Sequence, residues 1–152
     1  MVITWQCKKF SDLRVTELHR ILALRAEVFV VEQNCPYLDP DNKDEFSRHV
    51  MGWNGNDLVA VARIIPAGIS YDEVSIGRVA TSPLVRGTGI GKILMTKIME
   101  YIFYNFGNVP VKISAQSYLQ KYYEGYGFLR NEKPEYLEDD IPHMEMIFYS
   151  SR

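Results

Sequence analysis

A glycine-rich turn that follows an apolar segment is the part of this sequence best suited to bind a ligand. Its residues are Arg86, Gly87, Thr88, Gly89, Ile90, Gly91 and Lys92. Glycine has no β-carbon, so the backbone of such a turn can curl tightly and approach a bound group. The first N–H groups of a helix that begins there lack partners within the helix and attract anions. The pattern therefore predicts a site for phosphate or pyrophosphate, with Arg86 and Lys92 adding positive charge at its rim.

The spacing of this turn excludes two common phosphate-binding motifs. A P-loop requires a glycine five residues before its Gly-Lys pair and a Ser or Thr after the Lys. Arg86 and Ile93 occupy those positions here. The dinucleotide fingerprint requires a third glycine where this chain has Lys92. On the glycines alone, a turn that binds no ligand remains an equal alternative.

The composition indicates one globular domain over residues 1–152. Hydrophobic residues make up 47% of the chain and charged residues 24%, with a net charge of −2. This balance argues against nucleic acid as a partner, and no apolar run is long enough to predict a membrane-spanning helix. Without a signal-peptide pattern and with only two cysteines, Cys7 and Cys35, we expect a cytoplasmic protein. Whether the chain forms a homodimer is left open.

Strands and helices are predicted from alternating and helical spacing of apolar residues, respectively. The predicted strands are 2–8, 46–53, 58–65, 73–81, 111–115, one beginning at 128, and 143–150. The predicted helices are 15–31, one after the glycine-rich turn that stops near Gly107, and 116–124. The segment 132–142 is predicted to be a polar connection. This order predicts an α/β fold whose mixed sheet has helices on both faces.

A second motif gives the glycine-rich turn a chemical context. One helix and one strand after the turn, the chain reads Tyr122-Tyr123-Glu124-Gly125-Tyr126-Gly127-Phe128. The two motifs in this order resemble the GNAT superfamily of N-acetyltransferases, and the resemblance covers almost the whole chain. The segments 24–33 and 73–79 are similar to the ElaA-like subgroup. So are five further residues, namely Cys35, Tyr37, Asp41, Asp44 and His49.

The resemblance implies a GNAT-like single domain with a mixed, mostly antiparallel sheet of six to seven strands. It also implies acetyl-CoA as the cosubstrate. The backbones of Val79, Ala80 and Thr81 would bind its pantetheine arm, and the amides from Arg86 to Lys92 its pyrophosphate. Tyr123 would protonate the departing thiolate. Gln116 stands where the family often has an Asn that contacts the cofactor.

The acceptor site is less clearly marked than the cofactor site. Glu73 is the best candidate for a general base because it starts the strand that leads to the glycine-rich turn. Four side chains are candidates for substrate binding, with a structural role as the alternative for each: Arg25, Glu32, Asp44 and His49. The acidic loop 32–45 is predicted to be either solvated or in contact with a cationic substrate. Its spacing does not match a calcium loop, and no metal site is predicted. His143 is expected to be structural.

Together these features predict an acetyl-CoA-dependent N-acetyltransferase that acetylates a primary amine of a small molecule or peptide. The amine would attack the thioester directly in a ternary complex, with Tyr123 as general acid. Two alternatives remain. Arg25, Asp41 and Asp44 also resemble residues of acyl-homoserine-lactone synthases, which would make the chain an acyltransferase of that kind. The other alternative is a non-catalytic acyl-CoA-binding module.

Overall fold

The computed structural model describes residues 1–149, and its frame is one mixed sheet of eight strands. The strands are β1 (Thr4–Lys9), β2 (Arg48–Asn54), β3 (Asp57–Ile65), β4 (Val74–Thr81), β5 (Val111–Gln116), β6 (Phe128–Arg130), β7 (Tyr136–Glu138) and β8 (Ile141–Phe148). The helices are α1 (Val15–Arg25), which continues as a π-helix over Ala26–Glu32, α2 (Ile90–Phe106) and α3 (Gln120–Glu124). Residue 150 of the last predicted strand and the end of the predicted domain lie outside the described residues.

The strand order is β1-β2-β3-β4-β5-β8-β6, and β7 pairs with β8 beside β6. All pairs are antiparallel except β4 and β5, which are parallel and are joined through α2. The predicted mixed, mostly antiparallel sheet is therefore confirmed. None of the helices in residues 1–149 is long and apolar enough to cross a membrane.

The sheet has eight strands rather than the six to seven expected. The extra strand is β7, which lies in the segment predicted to be a polar connection. A two-residue turn of Asp139 and Asp140, with φ of 51° and 61°, joins it to β8. Such turns require positive φ and favour Asn-Gly or Asp-Gly. Asp-Asp is therefore a weak hairpin signal in the sequence.

Helices cover the two faces of the sheet unequally. The buried side of α2, with Leu94 and Ile98, packs on one face along most of the sheet. On the other face, Ile21 and Leu24 of α1 pack against β2–β4. The residues of β5 and β8 that alternate with the α2-side core are mainly polar, and they include Lys112, Ser114, Gln116, His143 and Glu145. This polar part of the second face is available to form a site.

Candidate active site

A cleft opens in the middle of the sheet because the two parallel strands separate. β4 and β5 pair only at Val74–Val111 and Ser75–Lys112. Beyond Ser75, the β5 side of β4 has no strand partner among the described residues. The cleft has a volume of about 480 Å³, and its lining includes Val79, Ala80 and Thr81. Main-chain groups on this unpaired side of β4 can bind an extended arm as an added strand would.

The glycine-rich turn forms the start of α2. Gly87 and Gly89 have φ of 81° and 84°, which only glycine adopts readily. Gly89 is the N-cap residue, and within the described chain no side chain caps it. The first N–H groups of α2 therefore remain available to an anion. This open helix start fits the pyrophosphate of acyl-CoA.

Arg86 connects this turn to the end of the π-helix. Its Nη2 donates to the Thr81 carbonyl oxygen at 3.1 Å and to Glu32 Oε1 at 2.7 Å. The hydrogen bond and charge of Arg86 hold the pKa of Glu32 below its usual range. Glu32, predicted to bind substrate, thus lies beside the end of β4 as the partner of Arg86. Arg86 lines the cleft, and its guanidinium is already paired with Glu32.

Tyr123 lines the same cleft as the unpaired side of β4. Its ring makes edge contacts with Tyr122 and Phe128, at centroid distances of 5.2 Å and 6.0 Å. Burial raises the pKa of Tyr123 to about 12. The phenol therefore keeps its proton at neutral pH and can donate it toward a developing negative charge. Gln116, at the end of β5, also lines the cleft.

The structure does not bring Glu73 together with Tyr123. Glu73 precedes the first residue of β4, six residues before Val79, which corresponds to roughly 20 Å of extended chain. Its carboxylate lies 3.5 Å from Lys112 Nζ, and it is not among the residues that line the cleft. The position favours an ion pair with Lys112 over the predicted role as general base.

Three of the predicted substrate-binding residues are buried behind the cleft. Arg25 at the end of α1 is 1% exposed, His49 is 1% exposed and Asp44 is 5% exposed. Arg25 Nη1 donates to Asp44 Oδ1 at 2.8 Å, and His49 Nε2 lies 2.9 Å from the Asp44 carbonyl oxygen. Burial lowers the pKa of His49. These contacts favour a structural role for the three residues.

The buried residues belong to a larger Arg–Asp cluster, formed by Arg25, Arg63, Arg78, Asp39, Asp41 and Asp44. Arg25 Nε donates to Asp39 at 2.7 Å, and Arg63 donates twice to Asp41, at 2.6 Å and 2.9 Å. Burial alone would raise the pKa of Asp41, but the hydrogen bonds and charge of Arg63 lower it to about 2. Three aspartates of the acidic loop are therefore neutralised by arginines of α1, β3 and β4. These aspartates are not free to bind a cation.

The Arg–Asp cluster reaches β4 through Arg78. Arg78 has φ of 52° at a bulge in β4, where Gly77 pairs with Arg63 and Ala80 with Val61. Its Nε lies 2.8 Å from Asp39 Oδ1, and its guanidinium lies over the Tyr37 ring at 5.6 Å. These contacts hold a strained backbone conformation next to Val79. No local pattern in the sequence marks a bulge, so Arg78 and its partner Asp39 were not predicted as site residues.

His143 was expected to be structural, and it lies in the last strand, where it lines the cleft with Ser114 and Glu138. His143 pairs in register with Gln116 of β5. Little in the sequence indicates that His143 lines the cleft, because this depends on a β7–β8 hairpin that places polar side chains beside β5.

Comparisons with known proteins agree with this geometry. A sequence model of the acetyltransferase (GNAT) domain matches residues 29–149. The chain is 42% identical to Protein ElaA of Escherichia coli over 147 residues, which is 95% of each chain. The crystal structure of that protein superposes with a TM-score of 0.89, covering 97% of this chain and 99% of that one at 41% identity.

Two further solved structures are similar. An acyl-CoA N-acyltransferase from Pseudomonas aeruginosa superposes with a TM-score of 0.93 at 41% identity, covering 97% of this chain and 99% of that one. The CoA-dependent acyl-homoserine lactone synthase BjaI superposes with a TM-score of 0.78 at 14% identity, covering 96% of this chain and 82% of that one. At that identity the likeness to the synthase shows a shared fold alone.

Proposed function

This chain belongs to the GNAT acetyltransferase family, in its ElaA-like group, and from that premise we propose that it transfers acetyl from acetyl-CoA to a primary amine. Family membership makes it an acyltransferase that uses acyl-CoA rather than a non-catalytic acyl-CoA-binding module. The acetyl group, the amine acceptor of a small molecule or peptide, and the roles of individual residues are our proposal.

One observation carries this proposal. The unpaired edge of β4 and the phenol of Tyr123 face the same cleft, and β4 leads directly to the open start of α2. The edge at Val79–Thr81 would bind the pantetheine arm and the amides at Arg86–Lys92 the pyrophosphate. Gln116, at the C-terminal end of β5, would contact the same arm. This arrangement would place the thioester within reach of Tyr123.

The reaction proceeds by direct attack of the amine on the thioester carbonyl. A lysine-type amine has a pKa of about 10.4 and an α-amine about 7.7–8.0, so at neutral pH the ammonium must first lose a proton. Tyr123 stabilises the departing sulfur by donating its phenolic hydrogen. No covalent nucleophile is required. Burial raises the pKa of Cys7 to about 11, so that thiol stays protonated.

An assay of CoA release with a broad panel of primary amines tests the proposed function. Mass spectrometry should show an acetylated amine, and double-reciprocal plots should intersect, as expected for a ternary complex. Parallel lines would instead indicate an acyl-enzyme. Product formed from S-adenosylmethionine and an acyl carrier protein would favour a lactone synthase. Acetyl-CoA binding without transfer to any amine would contradict the proposal.

The pH dependence of turnover should lack a descending basic limb in the usual range. Tyr123 must be protonated to act, and its pKa is about 12, compared with about 10 for a free tyrosine. As pH rises, kcat should therefore increase as the amine is deprotonated and remain high to about pH 11. The test is a pH profile of kcat at saturating substrates. A fall that begins near pH 9 would contradict this assignment.

Substitution of Gly89 by Ala should weaken acetyl-CoA binding. Its φ of 84° costs a residue with a side chain about 1–2 kcal/mol, so the open start of α2 should shift, with a 5- to 30-fold rise in the KM for acetyl-CoA. Gly107→Ala is a matched control, because Gly107 has φ of 79° at the opposite end of the same helix. Gly107→Ala should lose at least as much stability as Gly89→Ala, because ψ is −158° at Gly107, where few residues but glycine are found, and 6° at Gly89. An equal change in KM for both would contradict a role of the turn in binding.

A further inference from the structure

The cleft has a second polar region, built by the β7–β8 hairpin and β5 on the part of the sheet that α1 leaves uncovered. Tyr136 Oη lies 2.6 Å from Ser114 Oγ, and Ser114 Oγ donates to Glu138 Oε1 at 3.4 Å. The Tyr136 ring stacks on His143, with a centroid distance of 6.3 Å and an interplanar angle of 23°. We call these four residues the hairpin subsite.

His143 is the buried member of the hairpin subsite, with 6% of its surface exposed. Its Nδ1 lies 2.7 Å from the carbonyl oxygen of Ile141. A carbonyl oxygen only accepts hydrogen bonds, so Nδ1 carries the proton. Nε2 lies 3.3 Å from Glu138 Oε2, which is also an acceptor. In a neutral imidazole, the lone pair of Nε2 therefore lies against a carboxylate oxygen, and a donor that reaches both atoms relieves their repulsion.

The charges around the hairpin subsite favour a cation. Within residues 1–149, the side chain of Glu138 has a hydrogen bond with Ser114 and a short contact with His143, and neither carries a fixed positive charge. Asp139, at the turn, also lines the cleft. Arg78 and Arg86, on other parts of the lining, are already paired with Asp39 and Glu32, while Lys43, which also lines the cleft, belongs to the acidic loop 32–45. Lys112 of β5 is engaged with Glu73 and Glu145.

The walls of the cleft indicate the body of the molecule that such a cation belongs to. Near the hairpin subsite, the lining is aromatic or aliphatic at Tyr71 and Ile141. A compact apolar group fits such walls, while an ammonium in the cleft can donate to Glu138 and to Nε2 of His143. A donor-rich cation satisfies both acceptors at once.

Building on the proposed function, we propose that the hairpin subsite binds the acceptor as an aralkyl primary ammonium and that His143 is the proton acceptor. The ammonium donates to Glu138 and to Nε2, and one N–H proton passes to Nε2. The resulting imidazolium donates from Nδ1 to Ile141 and from Nε2 to Glu138. The freed amine forms the C–N bond as the C–S bond breaks, and the sulfur takes its proton from Tyr123. Solvent returns a proton to Tyr123, and it accepts both the proton lost from the new amide nitrogen and the one carried by the imidazolium of His143.

The test compares Glu138→Gln and His143→Asn with a matched control, Glu135→Gln, which alters an exposed carboxylate just before β7. Asn at position 143 can still donate to the Ile141 carbonyl but lacks Nε2. Benzylamine serves as acceptor. N,N-dimethylbenzylamine serves as a competitor, because its protonated form keeps one N–H but yields no stable amide. Competitor binding is also measured by calorimetry in the presence of CoA.

The expected result separates binding from proton transfer. Glu138→Gln should lower kcat/KM for benzylamine and weaken competitor binding by about tenfold or more, because a charge-assisted hydrogen bond is lost. His143→Asn should lower kcat by about 100-fold with a smaller effect on competitor binding. The KM for acetyl-CoA should stay unchanged in both, and Glu135→Gln should match the unaltered enzyme.

The other outcomes are equally decisive. If the unaltered enzyme acetylates amines but Glu138→Gln and His143→Asn keep its benzylamine kinetics, the hairpin subsite is wrong and the proposed function stands. If the unaltered enzyme neither acetylates nor binds benzylamine, the inferred acceptor class is wrong. If the competitor binds in a Glu138-dependent manner but no amine ever releases CoA, the subsite stands and the proposed function fails.

Discussion

Replacement of Tyr123 by Phe should lower kcat by about 100- to 10,000-fold, the range in which a positioned proton donor contributes to catalysis. The substitution removes only the phenolic oxygen, so the edge contacts with Tyr122 and Phe128 remain available to the Phe ring. The proposed binding of acetyl-CoA through β4 and the start of α2 does not depend on that oxygen. The KM for acetyl-CoA should therefore change little. Steady-state kinetics of CoA release measure both quantities.

Tyr122→Phe is the matched control for this prediction. Tyr122 is the neighbouring residue of the same short helix, and it is 37% exposed. Its hydroxyl makes a long hydrogen bond of 3.4 Å to the Gly91 carbonyl oxygen. Removal of this hydroxyl should leave kcat nearly unchanged. Equal activity of Tyr123→Phe and the unaltered enzyme would show that Tyr123 is not the general acid.

Replacement of Arg25 by Met should lower the free energy of unfolding by about 3–5 kcal/mol, because breaking a buried ion pair leaves the remaining charges uncompensated. Arg25 is 1% exposed and donates to Asp39 and Asp44 at 2.7 Å and 2.8 Å. Met occupies a similar volume, so the loss arises from the two carboxylates, which keep only Arg78 and Arg63 as charged partners, rather than from a cavity. Urea denaturation followed by circular dichroism measures the change.

Arg20→Met provides the control, because Arg20 lies on the same helix and makes only an exposed hydrogen bond to the Asn56 carbonyl oxygen at 3.2 Å. Its loss should cost less than about 1 kcal/mol. Arg25→Lys keeps the charge but not the planar fork, so its stability should lie between the two. Similar stability of Arg25→Met and Arg20→Met would show that the Arg–Asp cluster does not stabilise the fold and that Arg25 is available for another role.

Local features of this site could be predicted from the sequence. Gly87 and Gly89 are needed for their backbone conformations, and the helix that follows begins at a position set by its own apolar spacing. Tyr123 lies in a short motif whose neighbours Gly125 and Gly127 end the helix. In each case the residues that determine the geometry are close in the chain, so their order is enough to indicate it.

The acceptor side depended on contacts between distant residues. Arg25 meets Asp39 and Asp44 across 14 and 19 positions of sequence, so its burial could not be inferred from its place on a helix face. Charge patterns indicated an acidic loop, but the arginines that neutralise it come from three separate elements. Glu73 illustrates the same limit, because its partner Lys112 lies on the next strand of the sheet.

The sequence alone therefore determined the family and indicated the glycine-rich turn and Tyr123 as site residues, since these follow from short-range backbone and motif constraints. The tertiary structure decided which polar side chains reach the cleft. The separation of β4 from β5 creates the space, and the Asp139–Asp140 turn brings Glu138 beside His143. Both depend on pairing between strands far apart in the chain, where the energy of long-range packing and hydrogen bonding selects the arrangement.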